Sequence, residues 1–272
     1  MDREGGASFL KWAGGKRWLI QRHSDLFPRH FENYFEPFVG SGAVFFAMRP
    51  VRGPISDSNP ELINLYKTIK AAPSDLLRLM HRHARNHTTR YYYKMRTMQP
   101  HDTLEQAART LYLNRTCWNG LYRVNKRGQF NVPRGTKNTV LFPSDDFAKI
   151  STSLHRIRIR CCDFEEAIAQ TSNGDFLFVD PPYTVRHNNN GFIKYNESIF
   201  TWDDQLRLSV AIDQAATRGA KILITNADHR PIRDLYKSLG TLHTLPRKSV
   251  ISGAAAGRRT TTELAIRLNY NA

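Results

Sequence analysis

Acidic residues are in short supply. Against 40 Lys and Arg, the 272-residue chain sets only 24 Asp and Glu, which leaves +16 at pH 7. A deficit of that size calls for a polyanionic partner, nucleic acid before others, when it is more than a solvated surface. Cysteine is scarce too, with Cys117, Cys161 and Cys162 alone. The adjacent pair is badly placed to bridge, and no C-x-x-C spacing occurs. A disulfide framework and a structural zinc site of ordinary spacing are thereby excluded, and a reduced, intracellular chain is expected. No run of about 18 apolar residues exists, so no membrane span is expected. Residues 1–9 carry two acids and no apolar stretch and do not read as a signal peptide, so the expected location is cytoplasmic. Repeats and low-complexity tracts are also missing. What remains is 40% apolar and 24% charged, the composition of one large globular domain or of a core with one insertion.

The positive charge is concentrated. Residues 76–140 hold 13 Lys and Arg against only Asp102 and Glu105. Rings are interleaved with the cations: Tyr91, Tyr92, Tyr93, Tyr112, Trp118, Tyr122 and Phe130. Cations among rings suit phosphates and bases together, so this segment is the expected nucleic-acid module. Three of its four histidines, His81, His83 and His87, are grouped with no acidic or cysteine neighbour to complete a metal site. No metal is expected, and a phosphate-facing basic helix is the reading preferred for them. The three consecutive tyrosines fit helix packing better than base stacking.

Apolar periodicity gives a coarse order of elements. A strand at 34–39 enters the turn Gly40-Ser41-Gly42 and a helix through Met48; Gly53–Asp57 is a second strand. Ser58-x-x-Glu61 reads as a capping box with Pro60 in the first turn, opening a helix that stops near Pro73. This β-α-β-α order implies a parallel sheet. The basic segment interrupts it, helical to about Arg115 with a start at Thr103-x-x-Gln106. Residues 121–125 and 129–132 then flank Lys126-Arg127-Gly128 as a β-hairpin with a basic tip. The α/β pattern resumes with strands at 157–162, 175–180, 221–226 and 262–268 and a helix over Trp202–Thr217. Trp202 is expected to pack on the sheet, and Cys162 to be a core residue at a strand end.

Three motifs carry chemistry. In Phe38-Val39-Gly40-Ser41-Gly42 a strand runs into a glycine turn, and Asp57 follows at the end of the next strand, where an acid can accept from ribose hydroxyls. A dinucleotide fingerprint needs glycine at position 45, which is Phe45. A nucleoside ligand without a pyrophosphate, such as S-adenosylmethionine (AdoMet), fits better. G-x-G by itself is also what an ordinary βα turn shows. Lys11-Trp12-Ala13-Gly14-Gly15-Lys16 is no P-loop, since Leu10 and Arg17 stand where Gly and Ser/Thr are required; its lysines can meet a carboxylate. Asp180-Pro181-Pro182-Tyr183 is the specific one. It follows a buried strand, at the carboxyl edge where ligands bind. Two prolines fix the backbone and remove donors, leaving the Asp180 carboxylate and the Pro181 carbonyl as rigid acceptors beside a ring. That suits a planar base bearing an exocyclic amine.

FLKWAGGK, YFEPFVGSG and VDPPY, in that order, with LYLNRTCWNGLYRVNKRGQFNVPRG before the last, resemble the Dam family of DNA adenine-N6 methyltransferases (D12 class, group alpha), from about residue 9 to 270. The resemblance implies a Rossmann-like AdoMet-dependent α/β sheet at 1–72 and 146–272. It also implies an inserted, mostly helical target-recognition domain with a β-hairpin at 73–145. Trp12, Ala13, Gly14 and Lys16 would line the methionine end of AdoMet. Glu36, Pro37, Phe38, Gly40, Ser41 and Gly42 would form its cradle, Asp57 would hold the ribose, and Asp163, Phe164 and Asp180 would complete the site. Trp118 would wedge into the base stack. Asn119, Leu121 and Arg123 would touch bases, with Arg123 placed on a guanine. Arg96, Arg115, Asn125, Lys126, Arg127, Asn131, Pro133, Arg134 and Lys137 would complete the DNA contacts. A loop near DNA is expected at 249–262, where Arg258 and Arg259 lie, and 184–191 departs from the family's usual stretch after the tetrapeptide.

The implied reaction is methylation of adenine N6 in double-stranded DNA, on a base flipped out of the duplex, in GATC or a related site. Asp180, Pro181, Pro182 and Tyr183 would be the catalytic set, acting without a covalent enzyme intermediate. A monomer, or a weak dimer on DNA, with no obligate protein partner, is expected. Both a restriction-modification role and a solitary one stay open. An aminomethyltransferase acting on RNA or cytosine N4, a DNA-binding module without catalysis, and a nucleotide-dependent oxidoreductase are the rivals.

Overall fold

The computed structural model describes residues 9–125, 127–183, 200–248 and 260–271. Along the chain run α1 (Arg17–Arg22), β1 (Tyr34–Phe35), α2 (Ala43–Met48), β2 (Gly53–Asp57), α3 (Pro60–Ala71), α4 (Pro73–Asn86), α5 (Thr89–Thr97) and α6 (Thr103–Thr116). Then come α7 (Phe147–Leu154), β3 (Ile157–Cys161), α8 (Phe164–Ile168), β4 (Phe176–Val179), α9 (Trp202–Thr217), β5 (Lys221–Ala227), α10 (Arg230–Tyr236), β6 (Thr241–Lys248) and β7 (Thr260–Leu268). They divide into two compact units. The first holds the described residues up to Arg22 together with Val39–Cys161, and the second holds His23–Phe38 with the described residues from Cys162 onward.

In the first unit, β2 and β3 form a two-stranded parallel pair, Gly53 opposite Ile157 through Asp57 opposite Cys161. Around it pack helices whose sequence dictates a buried side. The apolar positions Leu62, Leu65, Tyr66 and Ile69 of α3 are buried, as are Leu76, Leu79 and Met80 of α4. Arg78, Arg82 and Arg85 of α4 face solvent. α6 is buried from Ala107 to Thr116, including both of its arginines.

Both capping expectations are off by one residue. Asn59, not Ser58, caps α3, its Oδ1 accepting from the Glu61 and Leu62 amides at 3.0 and 3.2 Å. Asp102, not Thr103, caps α6, accepting from Glu105 at 2.9 Å. Asp102 outranks the neighbouring threonine at that position, whereas Asn59 and Ser58 rank alike and it is Asn59 that stands directly before the first helical residue, Pro60. The described part of residues 121–132 turns back antiparallel over a short span: Val124 bridges Phe130, the Asn131 amide donates to the Arg123 carbonyl at 3.0 Å and the Asn125 amide to the Gln129 carbonyl at 2.9 Å. A two-stranded ribbon without a third strand is marginal, and Asn125 Oδ1 helps close the turn, accepting from Arg127 and Gln129.

The second unit is built on a five-stranded sheet in the order β1-β4-β5-β7-β6. β1, β4 and β5 are parallel; β7 and β6 are antiparallel to their neighbours. The sheet is therefore mixed, not the single parallel sheet expected, and β6 adds a strand the sequence reading lacked. β4 is buried throughout and anchors a core with α8, α9 and α10 (Leu177, Ile212, Ile224 and Tyr236). Trp202 packs against that core as expected, whereas Cys162 is only half-buried.

Candidate active site and nucleic-acid interface

The glycine turn of the first unit is held from three sides. The Gly40 amide donates to Asp57 Oδ2 at 3.2 Å, its carbonyl accepts from the Tyr66 hydroxyl at 3.0 Å, and its Cα lies against the Trp12 ring. Gly40 and Gly42 both have left-handed backbones, at φ 46° and 64°, a conformation glycine adopts without steric cost. A Cβ on Gly40 would sit 2.8 Å from Trp12 Cδ1, and one on Gly42 2.7 Å from the Tyr66 hydroxyl oxygen. Ser41 is buried in the same turn. Asp57 also accepts from the Asn59 amide at 3.0 Å. Burial pushes its pKa up to about 6, against the pull of these backbone donors. Lys16 is buried and donates to the Gly14 carbonyl at 2.8 Å; Ala13 and Gly14 are exposed.

In the same unit, the basic segment folds back on itself at its base. The Trp118 amide donates to the Pro133 carbonyl at 2.9 Å and Gly135 to Thr116 at 2.8 Å. Asn119 takes a left-handed conformation, φ 54°, and Trp118 stands 47% exposed. Phe130 and Val132 point inward. Arg123, Asn125, Arg127 and Pro133 point out, while Leu121, Asn131 and Arg134 are half-buried. Arg123 Nε donates to Asn131 Oδ1 at 2.8 Å, and Arg134 pairs with Asn138. Lys137 is exposed. Arg96 is half-buried over the Tyr93 ring. A cavity of about 480 Å³ opens beside the turn, with Arg96, Arg109, Asn125 and Asn131 in its lining.

Arg115 does not fit the expectation of a DNA contact. It has no exposed surface. Its guanidinium forks onto Asp145 at 2.6 and 2.7 Å and donates to the Phe9 and Val140 carbonyls. Next to it, Asn114 accepts from the Lys11 amide at 3.0 Å and donates to the Lys11 carbonyl at 2.6 Å. The Asn-Arg pair thus holds the strip at 9–11 in place, and Trp12 just beyond it stacks on Tyr122 at 5.5 Å. Nor does His83 face a phosphate. It is buried, bonded through Nδ1 to the Tyr91 hydroxyl at 2.8 Å and stacked on Tyr112. Burial and the nearby Arg82 push its pKa down to about 4. Tyr92 is buried, as the helix-packing reading requires, but Tyr93 is 40% exposed. No cluster of three or more metal-ligating side chains exists among the described residues. No helix there is long and apolar enough to cross a membrane.

In the second unit, β4 delivers Asp180 to its carboxyl end, followed by Pro181, which is buried, and the half-buried Pro182 and Tyr183. Asp180 Oδ1 accepts from the Thr225 hydroxyl at 2.7 Å, and the Tyr183 hydroxyl donates to Glu263 Oε2 at 2.9 Å. Neither Thr225 nor Glu263 was expected at the site. Glu263, an acid opening the apolar run Leu264-Ala265-Ile266, was the legible signal. Asp163 caps α8 and pairs with Arg207 at 3.1 Å. Arg207 also lies over the Phe164 ring, which Phe38 stacks from 5.5 Å. Glu36 is buried and accepts from the Tyr34 hydroxyl at 2.8 Å, with Pro37 buried beside it. Lys126, the 184–191 stretch, and Arg258 and Arg259 lie outside the described residues.

An acid-led Pro-Pro-Tyr at a strand end, in a chain that also carries a glycine turn with a strand-end acid, is the equipment of an enzyme that works on an exocyclic amine. The chain belongs to the D12 class of N6 adenine-specific DNA methyltransferases, matching that family over residues 12–251. It is 34% identical over 271 residues to the type II methyltransferase M1.LlaDCHI of Lactococcus lactis subsp. cremoris, covering 96% of this chain and 95% of that protein. To a DNA adenine methylase of Vibrio cholerae it is 34% identical over 262 residues, 94% of each. It is 38% identical over 237 residues to the DNA N-6-adenine-methyltransferase of Escherichia phage P1, covering 86% of this chain and 31% of that protein. The reaction is methylation of adenine N6 in DNA.

Proposed function

We propose that the methyl donor is AdoMet, that the adenine is flipped out of duplex DNA, and that the target is GATC or a related short site. The observation that carries this reading is the tetrapeptide at the carboxyl end of β4, with the Asp180 carboxylate held by Thr225. The Gly40 turn supports the donor. It has no room for a side chain, and the half-buried Asp57 carboxyl bonded to the Gly40 amide gains from two hydroxyl donors such as a ribose offers. Trp12, Ala13, Gly14 and Lys16 would meet the methionine end, Gly40, Ser41, Gly42 and Asp57 the ribose side, and Glu36, Pro37, Phe38, Asp163 and Phe164 the remainder. AdoMet supplies, when bound, a methyl group on a sulfonium.

The chain's own part begins with the amine. The N6 lone pair is delocalised into the purine and is a poor nucleophile. The Asp180 carboxylate and the Pro181 carbonyl accept its two N–H bonds, draw the nitrogen toward a tetrahedral shape and localise the pair. Acceptors already fixed in place give this help without reorganising, and holding the base at attack distance adds to it. Tyr183 stacks on the base. Flipping costs a few kcal/mol, offset by Trp118 entering the stack and by base and phosphate contacts. Arg123 on a guanine contributes about 1–3 kcal/mol of discrimination.

Asp180→Ala is expected to abolish methyl transfer to a duplex while DNA binding at low salt survives; normal turnover would sink the mechanism. Single-molecule sequencing of DNA from expressing cells identifies the modified atom and its flanking bases, and a modified base outside GATC-like sites would refute the target. Arg123→Ala is expected to relax sequence choice, whereas Lys137→Ala weakens binding to all DNA alike. Identical behaviour of the two would refute the division between reading and gripping.

A further inference from the structure

Two polar side chains outside every sequence motif share the sheet edge that carries Asp180. β4 and β5 are parallel and pair Val179 with Ile224, so the next residues out, Asp180 and Thr225, lie side by side. β7 is antiparallel to β5 and pairs Glu263 with Ala227, which brings Glu263 to the same edge one strand further on. Thr225 is fully buried and Glu263 is 5% exposed. Buried polar groups are expensive unless they are bonded. These two are bonded to the two side chains assigned to the substrate, at 2.7 Å and 2.9 Å. The Tyr183 phenol stays protonated, and so remains a donor, because burial and then the Asp180 and Glu263 carboxylates hold its pKa well above the ordinary value.

We propose that Thr225 and Glu263 are positioning residues for adenine methylation, Thr225 fixing the plane of the Asp180 carboxylate and Glu263 fixing the tilt of the Tyr183 ring. The proposal rests on the roles given above to Asp180 and Tyr183. A carboxylate just past a strand end rotates about its own side-chain bonds, and an acceptor aimed at an amine must hold to roughly 10–20°. Thr225 is suited to that task. Its branched side chain is stiff at χ1, and its backbone is paired with Ala265 of β7, one residue past the Val179–Ile224 pair with β4. Glu263 does the same for a ring that leaves the sheet after two prolines. Neither touches the base itself; each acts through the residue it holds.

The test is single-turnover methyl transfer by the full chain at saturating AdoMet and duplex, with AdoMet and DNA affinities and thermal unfolding measured alongside. Thr225→Val keeps the shape and removes the hydroxyl. It should slow transfer roughly 10–100-fold, the scale of a 1 Å misplacement, with both affinities within about threefold. Thr225→Ser restores the hydroxyl and should recover most of the rate. Tyr183→Phe and Glu263→Ala should each slow transfer, and the double variant should be no slower than the worse single one, since the pair acts as a unit. A wild-type rate for Thr225→Val while Asp180→Ala is dead would overturn the proposal and leave the reading of Asp180 standing. Equal losses in Thr225→Val and Thr225→Ser that track lost thermal stability would overturn it as well, by assigning a purely structural role. An active Asp180→Ala would remove the reading itself. If Thr225→Val fails to fold, the Tyr183 and Glu263 cycle decides, and additive losses there are refuting.

Discussion

Arg115 was expected on DNA and lies in the interior, which makes its substitution a sharp test. Replacing it by alanine leaves the Asp145 carboxylate, itself only 7% exposed, without its fork of two bonds. It also strips donors from the Phe9 and Val140 carbonyls. Breaking one side of a buried pair costs about 3–5 kcal/mol. Against a total stability of about 5–15 kcal/mol, that is a large share. In thermal terms it lowers the midpoint by roughly 6–20 °C, at about 2–4 °C per kcal/mol. Urea unfolding at pH 7 measures the loss directly. Arg115→Lys keeps the charge but not the fork and should fall between wild type and alanine. Arg115→Met combined with Asp145→Leu removes both charges and should recover part of the loss, because no lone ion stays buried. A phosphate contact behaves in the opposite way: stability is untouched, and the slope of log K against log salt falls by about 0.9. An Arg115→Ala protein with wild-type stability and that reduced slope would refute the interior role.

Titration of Asp57 sets a second expectation. Its carboxyl is raised to about 6, and the proposed ribose contact needs the ionised form. AdoMet affinity should therefore weaken up to about tenfold per unit as pH falls below 6, while Asp57→Asn gives a flat profile in calorimetry. A flat wild-type profile would refute the contact. For stability the sign is reversed. Between about 3.8 and 6 the folded chain holds a proton that the unfolded chain has released, so this group's contribution falls as pH rises through that window. His83 runs the other way. Its pKa is lowered to about 4 from 6.5, so the unfolded chain binds the extra proton and stability drops as pH falls through that range. The loss at pH 5 is about 2 kcal/mol by linkage; His83→Gln should remove that part of the slope in urea titrations at pH 7 and 5, and an unchanged slope would count against the burial argument.

How far the fold was readable from the residues can be judged element by element. β2 and α9 end where periodicity and turn residues place them, at Gly53–Asp57 and Trp202–Thr217. β6 was missed because Thr241–Lys248 contains Pro246 and scattered polar residues. It is the edge strand, next to β7 only, where a proline's missing donor is tolerated. Strand direction was legible in part: the β-α-β order implied parallel neighbours, as β2–β3 and β1, β4 and β5 are, but alternation reads the same in either direction and did not show that β6 and β7 run antiparallel. Of the proposed site residues, the motifs pointed to Gly40 and Asp57 in the first unit and Asp180 in the second, because backbone demands and a strand end restrict which residues fit. Arg115 misled because a window of charge counts cations without showing which way they point. Thr225 is an ordinary strand residue in sequence and gains its significance from lateral register alone.

Trp118 has an optical consequence. Among the large apolar side chains of the described residues it is one of six that stand exposed, and it is the only indole in that group. Trp12, Trp18 and Trp202 are partly covered. Its ultraviolet emission therefore originates in water, red-shifted and open to quenching by small solutes such as acrylamide. The protein carries its own lamp at the start of the Trp118–Gly120 turn, and changes in its colour can be followed in real time without any attached dye.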